Sequence, residues 1–248
     1  MRRLLAGVAF LTRLPVPAEP PFGADDVARA TLLFPVVGLL VGGVQAAVAA
    51  LLGSQLPPAV TAVLVLAVAA VLTGALHLDG LADAADGFGG GRTRDDVLRI
   101  MRDHAIGAYG AVALFLLLAV KLAALSALIG DGRGTAAIVL GACLGRWSLV
   151  PLARFSRYAR DVEAGLGARL GERIGRLEWL GATALAIVAA LFLAGGLGVV
   201  HLAAVAALTW LGHIHCRRRI GGITGDTMGA NCELSEALVY LLVLALPR

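Results

Sequence analysis

The chain has 248 residues, 59% of them hydrophobic and 15% charged, with a formal net charge of +4. Soluble domains carry about 25% charged residues, so the composition excludes an ordinary soluble fold and indicates a membrane protein. The excess of arginine lies between long apolar runs, where membrane topology explains it better than nucleic acid does, and nucleic acid is not an expected partner.

Residues 1–11 imitate the basic and apolar parts of a signal peptide. The imitation fails at Thr12-Arg13-Leu14-Pro15-Val16-Pro17, which interrupts the run and is followed by no small-x-small cleavage pattern, so a short interfacial or re-entrant helix is expected. Residues 30–76 then run for 47 positions, and residues 179–216 for 38, without Asp, Glu, Lys or Arg. Each run holds two spans at about 20 residues apiece, folded back at Ser54-Gln55-Leu56-Pro57-Pro58 and at Gly195-Gly196-Leu197-Gly198. The expected architecture is a single all-α domain over 1–248, a polytopic membrane helical bundle. It has about seven transmembrane helices, roughly 31–53, 58–78, 105–129, 135–153, 179–195, 199–216 and 228–246, plus short interfacial helices. With the N-terminus inside, cytoplasmic segments hold 17 of the 21 Lys and Arg residues, which fixes the orientation by the positive-inside rule. Cys143, Cys216 and Cys232 show no paired spacing, so neither a disulfide framework nor a zinc site is expected.

Directly after the first long run stands His77-Leu78-Asp79-Gly80-Leu81-Ala82-Asp83-Ala84-Ala85-Asp86-Gly87-Phe88-Gly89-Gly90-Gly91. At about 100° per residue, Asp83 falls near 40° and Asp86 near −20° from Asp79, so the three carboxylates share one helical face. Solvation at a helix end would explain a single Asp. Three on one stripe, closed by a Gly run able to turn the backbone, favour a hard divalent cation such as Mg²⁺, which takes carboxylate oxygens and keeps waters for phosphate to displace. Under the orientation above, this stripe faces the cytoplasm.

Thr93-Arg94-Asp95-Asp96 reads as a helix N-cap with an acidic residue three positions on, opening a short amphipathic helix over about 95–104 on the membrane surface. Arg99 and Arg102 at its end are candidates for phosphate oxygens, with an Asp95–Arg99 pair as the structural alternative. Lys121 and Arg146 lie within spans and need partners. Arg146 is toward the cytoplasmic half, in range of a ligand phosphate; for Lys121 a structural role is favoured. The loop 154–167 mixes arginine, tyrosine and glycine, a pattern that proximity to anionic lipid also explains. Finally Gly221-Gly222-Ile223-Thr224-Gly225-Asp226-Thr227-Met228-Gly229 resembles a phosphate-cradling turn before a helix, though no P-loop Gly-Lys-Ser/Thr follows. Asn231, Glu233 and Glu236 then enter the membrane, and with the Asp stripe they are expected to wall a polar, cation-binding cavity. The histidines, His77 included, show no zinc spacing and are read as packing or interfacial residues.

Carboxylate-held Mg²⁺, arginines and a Gly-rich anion turn at a membrane surface suit phosphoryl or nucleotidyl transfer. The Asp-Gly-x-x-Asp-x-x-Asp-Gly form resembles the motif of the CDP-alcohol phosphotransferases, but that family's longer spacing is absent. A resemblance over nearly the whole chain is to the cobalamin synthase family, the adenosylcobinamide-GDP ribazoletransferases. It rests on Phe10-Leu11-Thr12-Arg13-Leu14-Pro15-Val16-Pro17, His77 to Asp83 with Asp86-Gly87, Ile100-Met101-Arg102-Asp103, Tyr158-Ala159-Arg160 with Gly165-Leu166-Gly167, and Gly222 to Ala230. Met228 departs from the usual Leu, a volume-conserving apolar swap.

The resemblance implies an enzyme in the bacterial cytoplasmic membrane in which α-ribazole, or its 5′-phosphate, attacks the phosphate attached to cobinamide in adenosylcobinamide-GDP. GMP leaves, and Mg²⁺ is the cofactor. It maps the acidic motif onto Asp79, Asp83 and Asp86. Within that frame Asp79 and Asp83 are expected to hold Mg²⁺, with Asp83 and Asp86 as catalytic residues and Asp86 as metal ligand or general base. Arg13 and Arg102 are expected on phosphates. Asp226, Asn231 and Glu233 are expected on a second metal or on ribose hydroxyls, and Asp103, Arg146, Tyr158, Arg160 and Gly225 complete the substrate-binding set. Membrane lipid is the expected surrounding partner, and subunit association is left open. The alternatives are a CDP-alcohol-type phosphotransferase acting on a lipid and a cation-coupled transporter.

Overall fold

The computed structural model describes residues 1–17, 19, 21–103, 105–160 and 170–246. Among them the chain is helical: α1 (Arg2–Leu11), α2 (Ala24–Ala30) leading through a 3₁₀ turn into α3 (Phe34–Leu52), α4 (Pro58–Thr73), α5 (Leu76–Gly90), α6 (Arg94–Ile100), α7 (Ala108–Gly130), α8 (Gly134–Phe155), α9 (Leu170–Arg173), α10 (Arg176–Ala194), α11 (Leu197–Ile220) and α12 (Gly225–Ala245). Six helical stretches are long and apolar enough to cross a membrane, or seven if α4 and α5, bent by 91°, form one broken span. This agrees with the all-α polytopic bundle and with the short N-terminal helix read from the sequence.

One boundary moves. The span expected over 58–78 ends at Thr73, because Gly74 and Ala75 both take left-handed backbone, φ 61° and 56°. The Ala75 N–H donates to Ala70 O at 2.7 Å, closing a Schellman-type turn. Glycine adopts this conformation freely; an alanine pays about 1 kcal/mol for it. The turn is braced from the segment just after α1, since the Arg13 N–H donates to Leu72 O at 2.7 Å and a Cβ on Gly74 would meet Arg13 Nε at 2.5 Å.

The most buried span is α8, around which the bundle is arranged. Gly38 and Gly42 bring α3 against it: a Cβ on Gly38 would lie 2.7 Å from Cys143 Cα, and one on Gly42 2.8 Å from Val139 Cα. On its other side Gly141 receives the Tyr240 ring and Gly145 receives Glu236 and Cys232 of α12. Small residues do this work in membranes because close packing, rather than apolar burial, drives helices together there. Between α7, α8 and α12, Lys121 Nζ donates to Glu233 Oε2 at 2.5 Å and Glu236 Oε2 at 2.6 Å, and Arg146 donates to Glu236 Oε1. All four side chains are buried, and two cations balance two carboxylates.

Candidate active site

The Gly run after the Asp stripe does not turn the chain where the sequence suggested. The α5 helix runs on to Gly90, and the missing side chains instead admit neighbours: Met101 over Gly87 and the Tyr109 ring over Gly89. Asp79, Asp83 and Asp86 therefore lie on one continuous helix, as the spacing requires. Along it they pass from exposed Asp79 through half-buried Asp83 to buried Asp86.

Two further glycines place α5 against α12. A Cβ on Gly80 would come within 2.9 Å of Asp226 O and 3.3 Å of Gly229 Cα, and one on Gly229 within 3.1 Å of His77 O. The helices thus meet backbone to backbone where the two sequence motifs cross. The start of α12 is fixed by a capping box, with the Thr227 N–H donating to Thr224 Oγ1 at 3.2 Å. This sets Asp226 in the first turn facing α5. Arg160 donates to Asp226 Oδ2 at 2.6 Å and to Met101 O at 3.3 Å, and the Thr224 hydroxyl reaches the same carboxylate at 3.2 Å. Asp83 lies within electrostatic reach of Asp79, Asp226, Arg160 and Asp86.

A cavity of about 160 Å³ opens at this crossing, lined by Phe10 and Leu11 of α1, His77, Asp79 and Gly80 of α5, Tyr158, and Gly225, Asp226 and Gly229 of α12. Tyr158 is held there by a parallel bridge: the Ile223 N–H donates to Arg157 O and the Ala159 N–H to Ile223 O, both at 2.8 Å. The structure thus gathers Asp79, Tyr158, Gly225 and Asp226 at one cavity, with Asp83 and Arg160 beside it. His77 belongs to the same wall, although its spacing in sequence marks it only as a packing or interfacial residue. It is buried, and its Nδ1 has no hydrogen-bond partner among the described residues. Its position two residues before Asp79, in the stretch that crosses α12, was the available signal.

Other candidates lie elsewhere. Asp86 is occupied as a cap: its Oδ2 accepts the Gly107 N–H at 2.7 Å and its Oδ1 the Gly110 N–H at 2.8 Å, at the start of α7. Arg146 and Glu233 belong to the interior network with Lys121 and Glu236. Asn231 donates to Ser148 Oγ at 2.9 Å and Thr209 Oγ1 at 3.2 Å. All three are turned inward because polar groups in an apolar layer must satisfy one another. Arg13, Arg102 and Asp103 are exposed and are not among the cavity's lining residues. Residues 165–167 of the loop motif lie outside the described residues, as does His104.

The helix expected over 95–104 is α6, Arg94–Ile100, with the Thr93 capping box in place. The hydrogen bond from the Thr93 hydroxyl to Asp96, 2.8 Å, holds that carboxyl below the usual carboxylate range. The ion pairs are Arg94–Asp95 and Arg99–Asp96 rather than Asp95–Arg99. Arg94 also donates to Ile220 O at 3.0 Å and Ala159 O at 2.6 Å, pinning α6 to the end of α11 and to the segment that carries Tyr158.

Among the described residues no three His, Cys, Asp or Glu side chains are gathered into a preformed metal cage. Asp79 and Asp83 nevertheless offer hard oxygens on one helical face, with Asp226 opposite. That donor set fits Mg²⁺, which is commonly held by one or two carboxylates and completed by waters and substrate phosphates.

Fold and site together define a polytopic helical membrane protein with a carboxylate-lined cavity at a glycine crossing of two helices. The chain belongs to the cobalamin-5-phosphate synthase family, CobS, whose model it matches over residues 3–245. It is similar to several proteins named adenosylcobinamide-GDP ribazoletransferase. That of Rhizobium etli (strain CIAT 652) is 38% identical over 244 residues, covering 92% of this chain and 91% of the relative. That of Syntrophobacter fumaroxidans is 40% identical over 234 residues, 94% of each, and that of Shewanella sp. (strain W3-18-1) 36% over 242, covering 97% and 92%. No solved structure matches the chain.

Proposed function

We propose that the protein transfers the adenosylcobinamide-phosphate group of adenosylcobinamide-GDP to α-ribazole or its 5′-phosphate and releases GMP. The observation that carries this reading is the backbone crossing at Gly80 and Gly229, which sets Asp79 and Asp83 against Asp226 and Arg160 in a chain of the cobalamin-5-phosphate synthase family. A ribose hydroxyl oxygen forms a bond to the phosphorus attached to cobinamide, the P–O bond to the guanylate breaks, and GMP takes the electron pair. The hydroxyl proton passes to a carboxylate of the cluster. Arg160, already directed into the site by Asp226, is placed to hold a non-bridging phosphate oxygen. Asp79 and Asp83 would hold Mg²⁺, which supplies charge neutralisation of the diphosphate. Asp86 supports the site by capping α7 and holding α5 beside it. Membership of the family supports a bacterial cytoplasmic membrane location, and the Arg and Lys distribution supports a site facing the cytoplasm.

The lipid phosphotransferase and transporter readings are not favoured by the family match. Detergent-solubilised protein given Mg²⁺, adenosylcobinamide-GDP and α-ribazole should release GMP. No release here, with CMP release from a CDP-lipid, would overturn the reading. Asp83→Asn should lower GMP release at least about 100-fold, and full turnover in that variant would sink the metal-site assignment.

A further inference from the structure

The Tyr158–Ile223 bridge divides two cavities of opposite character. Residues at or after it, Tyr158, Gly225 and Asp226, line the carboxylate cavity. Residues before it on both segments, Ser156, Arg157, Gly221 and Gly222, line another of about 390 Å³, together with His213 and Arg217 of α11. The second cavity is basic. Among the described residues neither Arg157 nor Arg217 has a carboxylate at ion-pair distance, whereas Arg94, Arg99, Arg160 and Arg173 each do. Ser156 Oγ lies 2.7 Å from His213 Nδ1, adding a hydroxyl and an imidazole to the two guanidinium groups.

The same turn holds both arginines at their backbones. Gly221, left-handed at φ 77°, closes α11 with its N–H on Arg217 O at 3.1 Å. Gly222 lies flat against Arg157 O, where a Cβ would collide, and the next N–H, that of Ile223, donates to that oxygen at 2.8 Å. The Gly-rich stretch that resembles a phosphate cradle in sequence therefore faces the basic cavity with its first two glycines and the acidic one with the rest.

The family description names a product that carries a 5-phosphate. A phosphate monoester carries about −1.5 to −2 charge near neutral pH, which the two guanidinium groups of the basic cavity complement. We propose that the basic cavity binds the phosphate monoester of a phosphorylated acceptor, α-ribazole 5′-phosphate, through Arg157 and Arg217, while a ribose hydroxyl of the same molecule reaches the carboxylates across the bridge. This rests on the functional reading above. A planar guanidinium matches phosphate oxygens in bidentate fashion, so two of them distinguish the phosphorylated acceptor from the free nucleoside.

The test compares kcat/KM for GMP release with α-ribazole 5′-phosphate and with α-ribazole, for the full-length protein in nanodiscs. In Arg157→Gln, Arg217→Gln and the double variant, the ratio of phosphorylated to free acceptor should fall at least about tenfold. Arg157→Lys should recover part of it by keeping the charge without the fork. An unchanged ratio in the double variant, or equal losses with both acceptors, would overturn the proposal. A lipid phosphate offers similar chemistry, so the comparison is run in phosphatidylglycerol and in phosphatidylcholine nanodiscs. If the substitutions abolish a rate difference between the lipids and leave the acceptor ratio intact, the cavity holds lipid and the proposal falls. No GMP release by the unaltered protein with either acceptor would overturn the functional reading, and this proposal with it.

Discussion

Replacing Lys121 by Met tests the interior network directly. Its ammonium donates at 2.5 and 2.6 Å to two carboxylates on α12, and Glu236 is shared with Arg146, so the four groups are neutral as a set. Lys121→Met leaves one cation for two buried carboxylates. Breaking a buried pair from one side costs about 3–5 kcal/mol, a large share of a membrane bundle's stability. Adding Glu233→Gln restores neutrality, and contacting residues of this kind couple by about 0.5–3 kcal/mol. The double variant should therefore be more stable than the sum of the single changes predicts. Reversible denaturant titration in mixed micelles, followed by tryptophan fluorescence across the four proteins of the cycle, measures this. A Lys121→Met loss below about 1 kcal/mol, or strict additivity with Glu233→Gln, would refute a closed ion network.

Three other outcomes are expected. Asp86→Ala strands two amide N–H groups at the head of α7 and should cost about 2 kcal/mol or more, while Asp86→Asn keeps an acceptor and should cost about 1 kcal/mol; thermal unfolding in detergent measures both, and an unchanged melting temperature for both with GMP release abolished would make Asp86 a metal ligand instead of a cap. Chelation with EDTA should abolish GMP release and added Mg²⁺ should restore it; undiminished release in EDTA would remove Mg²⁺ from the reaction. Gly80→Ala would put a methyl 2.9 Å from Asp226 O, forcing α5 off α12 at a cost of about 1–3 kcal/mol and lowering GMP release. Normal rates in that variant would show that the helix crossing does not position the site.

Charge-free runs and turn residues were sufficient to read the spans, because apolar length and Pro or Gly breaks act locally. The helical face shared by Asp79, Asp83 and Asp86 was legible for the same reason. What those carboxylates touch was not. Asp86 serves the amides of Gly107 and Gly110, more than 20 positions away, and a periodicity argument has no term for such a pairing. Arg146 and Glu233 were legible as buried charges needing partners, yet a partner on another span and a substrate satisfy that need equally in sequence. The Gly run after Asp86 has the composition of a turn; Met101 and Tyr109 convert it into a packing surface, a tertiary fact that overrides glycine's local preference. Ala75 shows the converse, a residue without turn chemistry held left-handed next to Gly74, with its N–H closed on Ala70 O.

The interior ion network also orders the protein's biogenesis. Lys121 and Arg146 enter the bilayer on α7 and α8, earlier in synthesis than the two glutamates of α12, and each lone cation at mid-membrane costs about 2.5–3.5 kcal/mol on insertion scales. Helix α12, burdened by carboxylates of its own, is a poor span alone and a good one once those cations wait for it. Its arrival neutralises the interior and, in the same event, delivers Asp226 and Gly229 to the crossing with α5. A chain stalled before that step holds no assembled site, so catalytic competence and complete membrane integration are acquired together.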